Sequence, residues 1–174
     1  MLLTLSPAAS PRLPLASERP TCYPYVAMRV LILYETRRGF TLTVARAIRD
    51  ELQRRGIFAT TAPLSGVDRG TVAAAEALIV GTWVKGAIVA GVGPAPGVEE
   101  GIARLPSLDG EPAAVFCTCD VAPGKTLDLL AAWLRRRGAE VTVGETFKRK
   151  KSLRQVPRFV DVVLEAFERA EANA

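Results

Sequence analysis

From Met28 onward the chain alternates short apolar runs of strand length with amphipathic stretches of helical period, and that alternation limits the fold more than any other feature. Arg29–Tyr34 (RVLILY) reads as a first strand. Thr41–Arg55 follows as a helix, with Val44, Ala45, Ile48 and Leu52 on one face and Gly56 where it ends. Ile57–Ala62 is a second strand, Val67–Ala75 a short helix and Ala77–Gly81 (ALIVG) a third, buried strand. The glycines and prolines between Thr82 and Gly97 predict a long loop, after which a helix runs from Val98 to Arg104. Pro112–Cys119 is the fourth strand. A helix over Lys125–Arg137 turns Leu127, Leu130, Ala131 and Leu134 inward, and Gly138 caps it. Glu140–Thr146 alternates as an edge strand should, and Pro157–Arg169 forms the last helix on Phe159, Val160, Val163 and Phe167. Five strands alternating with helices imply an α/β fold: a parallel sheet with both faces covered and right-handed crossovers.

Length permits one such domain with a full core, at 174 residues and 49% hydrophobic content. Residues 1–27 differ: Pro7, Pro11, Pro14, Pro20 and Pro24 interrupt them and no period is visible. They lack the basic start and unbroken apolar run of a targeting segment. They read as a disordered or non-native extension ahead of a domain spanning 28–174, with Met28 a plausible start. No apolar run is long enough for a membrane span. Cys22, Cys117 and Cys119 are too few and too unevenly placed for a disulfide framework, which fits free thiols and a cytoplasmic setting. The chain has no histidine, so Ser-His and Cys-His catalysis and histidine metal sites are excluded. The net charge is +5. Residues 1–27 contribute only Arg12, Arg19 and Glu18, so the excess belongs to the folded part. No nucleic-acid motif accompanies it, and no nucleic-acid partner is expected.

An open parallel sheet binds ligands at the carboxyl ends of its strands. After the first strand comes Thr36-Arg37-Arg38-Gly39-Phe40-Thr41, where a helix begins. A helix amino terminus offers unpaired N–H groups and partial positive charge, the threonine hydroxyls can donate, and Gly39 permits close backbone approach. The loop suits a phosphate; the same residues also make an ordinary threonine-capped turn.

The run Ile32–Thr41, with Ala45 after it, resembles the flavodoxin signature: a hydrophobic pair, an aromatic, T/S-x-x-G-x-T, then alanine. The resemblance extends over about 28–170 in the order and length of elements. It implies a three-layer fold with a five-stranded parallel sheet in the order 2-1-3-4-5. It also implies that Thr36, Arg37, Arg38, Gly39, Phe40 and Thr41 wrap the phosphate of flavin mononucleotide (FMN). Arg37 and Arg38 replace the usual small polar residues, and Phe40 stands where asparagine is common. By the same resemblance a second flavin loop follows strand three, with Thr82, Trp83, Val84 and Gly86; Trp83 would stack on the isoalloxazine, and the Gly86 carbonyl would meet flavin N5. A third loop contains Thr118, Cys119, Asp120 and Gly124. It lacks the tyrosine that many flavodoxins place there. The implied function is electron transfer or a small FMN-dependent oxidoreductase, quinone- or protoporphyrinogen-oxidase-like chemistry included. The partner would be a redox protein or a small-molecule or quinone acceptor. The alternative is a flavodoxin-like domain that has lost flavin and acts through contacts. No side chain stands out as a general acid or base.

Rival motifs fail. Gly124-Lys125-Thr126 would need a glycine where Cys119 stands to be a nucleoside-triphosphate loop. Gly91, Gly93 and Gly97 do not have dinucleotide-fingerprint spacing. A receiver domain would need acids after strand one and an aspartate ending strand three, where Gly81-Thr82 stands. Cys117 and Cys119 share a strand face and read as buried small residues or as thiols near the flavin edge; a lone C-x-C is a weak metal signal, and no metal site is expected. Lys148, Arg149, Lys150 and Lys151, with Arg154 and Arg158, follow strand five at the ligand end of the sheet. They read as a solvated loop, a source of positive charge near the flavin, or a docking patch for an acidic partner or membrane surface.

Overall fold

A computed structural model describes residues 28–87, 90–149 and 152–172. The extension 1–27, with Cys22, and Lys150 and Lys151 of the basic segment lie outside the described residues. The elements run β1 (Arg29–Glu35), α1 (Phe40–Arg54), β2 (Phe58–Pro63), α2 (Arg69–Ala73), β3 (Ala77–Ala87), β4 (Ala90–Pro94), α3 (Val98–Ala103), β5 (Pro112–Cys119), α4 (Thr126–Arg136), β6 (Glu140–Lys148) and α5 (Ser152–Ala172).

The sheet is ordered β2-β1-β3-β5-β6, parallel throughout along this path. That is the expected 2-1-3-4-5 arrangement with one strand added. The addition is β4, which pairs antiparallel with the second half of β3 through Val84↔Pro94, Lys85↔Gly93 and Ala87↔Ala90. The long loop expected over Thr82–Gly97 is thus corrected: its first part continues β3 and its later part forms β4. The register shifts between Lys85 and Ala87, at Gly86, whose φ is +107°. A Cβ there would lie 2.5 Å from the Gly91 carbonyl oxygen. The glycines that look like loop punctuation instead allow a bulge and close strand approach.

Alternation along each strand separates two cores. Val30 and Ile32 of β1, Ile79 of β3 and Phe116 of β5 face α1 and α5, meeting Val44, Ile48, Leu52, Phe159, Val163 and Phe167. Leu31, Leu33, Leu78, Val80 and Val115 face the other way, onto Val72 of α2, Val98 and Ile102 of α3 and Leu130 and Leu134 of α4. Each fully buried Leu, Ile or Phe contributes about 1.5–3 kcal/mol. Exposed pairs such as Arg29–Glu76 at 3.5 Å contribute about 0–1 kcal/mol. The two apolar layers, not the surface ion pairs, hold the fold.

The last helix begins at Ser152, five residues before the expected start at Pro157. An internal proline leaves the carbonyl four residues earlier without its N–H partner. That residue, Leu153, is 55% exposed, so water reaches it. Arg55, at the end of α1, ties this helix down from outside. Its Nη2 donates to the Pro157 carbonyl at 3.1 Å, its Nη1 to Asp161 Oδ1 at 2.5 Å and its Nε to buried Glu51 at 2.8 Å.

Gly81 lies under the ring of Phe116, which meets Phe147 and Phe159 edge-on with centroids 5.7 and 6.5 Å away. A Cβ at Gly81 would lie 2.0 Å from Phe116 Cζ. Gly81→Ala is therefore expected to destabilise the fold by about 1–3 kcal/mol in urea unfolding, and Phe116→Leu in the same chain to recover part of that loss. Additive losses in the double variant would show that the two sites do not collide.

Candidate functional site

β1 ends at Glu35 and the chain turns into α1 within four residues. Thr36 Oγ1 accepts from the Gly39 N–H at 3.1 Å, and Gly39 sits at φ +81°, ψ −9°. The helix has no side-chain cap. Its first turn therefore presents the amides of Phe40, Thr41 and Leu42, which have no helical carbonyl four residues back. The first closing bonds come from Thr43, whose N–H and Oγ1 reach the Gly39 carbonyl at 2.9 and 3.0 Å. Thr41 Oγ1 and Thr118 Oγ1 are 2.9 Å apart and buried, fastening the helix amino terminus to the end of β5. One hydroxyl donates to the other, so the pair retains one proton for a further acceptor.

This terminus opens into a cleft above the carboxyl ends of β1, β3 and β5. Thr36, Arg37, Arg38, Phe40 and Thr41 line one side, Trp83, Val84 and Gly86 another, and Thr118, Cys119 and Asp120 the third. The three segments picked from sequence do converge, although the second, Thr82–Gly86, is strand β3 rather than a loop. Gly39, Thr82 and Gly124 are not among the lining residues. Gly39 acts through its backbone. Thr82 is fully buried, donates to the Trp83 carbonyl at 3.1 Å and accepts from Ala95 N–H at 3.3 Å, so it holds the root of the hairpin. A Cβ on Gly124 would lie 2.7 Å from Val92 Cγ1, which seats the third loop on β4.

Arg149 also lines the cleft, although sequence reasoning assigned it only to the basic flank. The available signal was its place directly after β6, at the same end of the sheet. Its guanidinium carbon lies 4.9 Å from the Phe40 ring centroid, and its Nε donates to Asp120 Oδ1 at 2.9 Å. Across the cleft, the Arg37 guanidinium lies 5.7 Å from the Trp83 ring. Two arginine–aromatic pairs thus bracket the opening. With Arg38, three guanidinium groups face one carboxylate, Asp120, and the cleft is electropositive.

Cys117 and Cys119 are free and buried. Burial pushes the Cys117 thiol up to about 12; the Thr146 hydroxyl opposes this, while Cys119 and Glu145 reinforce it. Burial also raises Cys119, which Lys148 counters and Asp120 reinforces. Both are thiols near neutral pH, and neither is an activated nucleophile. Among the described residues no group of three or more His, Cys, Asp or Glu could hold a metal ion, and no helix is long and apolar enough to cross a membrane.

The raised Cys117 value ties stability to alkaline pH. Below the ordinary value of 9.0 both states keep the proton and the thiol adds no slope. Between there and about 12 the unfolded chain releases a proton that the folded chain retains, so stability falls as pH rises. Cys117→Ala is expected to make the decline in urea midpoint above pH 9 shallower. An unchanged slope would assign that decline to other groups.

No protein-family model and no curated protein matches the chain. Solved structures do match. A flavodoxin from the domain Archaea aligns with a TM-score of 0.63 at 19% identity, over 83% of this chain and 99% of that one. Flavodoxin 2 from Bacillus cereus aligns at 0.64 and 20% identity, over 79% and 98%. The two-electron reduced flavodoxin of Megasphaera elsdenii aligns at 0.63 and 18%, over 75% and 97%. At such identities the likeness concerns architecture, and it agrees with the strand order and the two helix layers: this chain has the flavodoxin-like fold.

Proposed function

We propose that the cleft binds FMN and that the protein is a redox protein, either an electron carrier or a small flavin-dependent oxidoreductase. One observation carries this reading. An uncapped helix amino terminus, three arginines and a tryptophan converge on a single cleft at the carboxyl ends of three parallel strands.

The donor set fits the group. The first-turn amides with Thr36, Arg37 and Arg38 supply donors for a phosphate. Trp83, half-buried on the cleft wall, offers a flat apolar surface for an aromatic ring. When bound, the flavin supplies the redox chemistry. The chain's residues bind it, orient it and set its electrostatic surroundings. An electropositive cleft favours the flavin's reduced, negatively charged form. The partner is a redox protein or a small acceptor such as a quinone, and exposed Lys148 and Arg149 beside the cleft suit an acidic surface.

Protein purified with FMN should be yellow, and stripped protein should lose tryptophan emission on titration with FMN. Trp83 lines the cleft and Trp133 does not, so Trp83→Phe should remove most of the quench. Colourless protein without quenching would instead support a contact module built on this fold. Arg37→Ala and Arg38→Ala should each make the midpoint potential of bound flavin more negative in a potentiometric titration, because each removes a positive charge that favours reduction. Unchanged or less negative potentials would contradict that assignment. Reduced pyridine nucleotide consumed with a quinone by this protein alone marks an enzyme; a requirement for a separate reductase marks a carrier.

A further inference from the structure

Arg149 has three attachments, and together they describe a device. Its backbone N–H reaches the Cys119 carbonyl at 3.4 Å, fixing where the side chain starts. The guanidinium lies over Phe40, the first residue of α1, and Nε holds Asp120. The side chain thus stands beside the helix amino terminus where a phosphate is best received. It comes from the β6–α5 connection, outside the three segments that form the rest of the cleft. Asp120 is its present counter-ion, and the pair is exposed, 55% for Arg149 and 69% for Asp120. Such a pair contributes little and is readily exchanged.

We propose that Arg149 makes the cleft select a phosphorylated ligand over its dephosphorylated counterpart, by exchanging the Asp120 carboxylate for the phosphate. The inference deepens the FMN reading and rests on it. A phosphate monoester carries more charge than a carboxylate and has three acceptor oxygens, and a planar guanidinium can take two of them at once. Phe40 keeps the guanidinium over its ring while the partner changes. Asp120 competes with the ligand, so it keeps Arg149 in place without an anion and weakens binding of a poor one.

The test uses the full chain stripped of flavin, with FMN and riboflavin titrated separately by fluorescence. Circular dichroism checks that each variant is folded. Arg149→Ala should weaken FMN about tenfold or more and leave riboflavin within about twofold. Arg149→Lys, which keeps the charge without the planar fork, should fall between. Asp120→Asn should tighten FMN alone. Equal losses for both flavins in Arg149→Ala, or no loss for either, would overturn the proposal while leaving the flavin site standing. If the wild-type chain binds neither flavin, the cofactor reading fails, and inorganic phosphate becomes the probe. A melting temperature raised by phosphate in wild type and not in Arg149→Ala supports the Arg149 role; equal shifts overturn it.

Discussion

Every structural feature of the cleft depends on β3 having neighbours on both sides and helices on both faces. Its first half is hydrogen-bonded in parallel to β1 and β5, with Ile79 and Val80 entering opposite cores. A strand buried on both faces has no room for polar side chains along its length. Polar chemistry is confined to the strand ends, and in a parallel sheet the carboxyl ends lie together. Thr36 follows β1, Trp83 stands where β3 leaves its parallel partners and Thr118 lies near the end of β5; the chain reaches these points separately, yet they meet in one cleft.

Close packing then fixes the distances at that end. Gly81 leaves room for the Phe116 ring against β3, and Phe116 leads the interlocked rings that seat α5. Thr41 and Thr118 carry the same rigidity to the helix amino terminus by one buried hydrogen bond. The unpaired amides of α1 are therefore presented by a firm element. The arginines above them, held by ring contacts and one exposed ion pair, are the adaptable part.

Much of the fold was legible because burial imposes a period. β1, β5 and α4 lie within a residue or so of the spans predicted from apolar pattern, and the outer position of β6 followed from its alternation. β4 was not legible. Its pairing is supplied by β3 across a bulge, and Gly86, Gly91 and Gly93 carry the same signal whether they punctuate a loop or permit a hairpin. The start of α5 was missed because Pro157 marks a helix start in isolation, whereas the helix runs through it from Ser152, the one carbonyl left without a helical partner lying in its exposed first turn at Leu153.

At the cleft the division is similar. By itself the sequence determined the α/β alternation, the loop Thr36–Thr41 at a helix amino terminus and the excess of basic residues, since these follow from local pattern and composition. Only the tertiary structure decided that Arg149 faces Phe40 and Asp120, that Thr82 turns away to brace Ala95, and that the Thr41 hydroxyl is already engaged by Thr118. Those facts depend on which strand ends become neighbours, and strand order is set by burial of two apolar layers over the whole chain rather than by any segment within it.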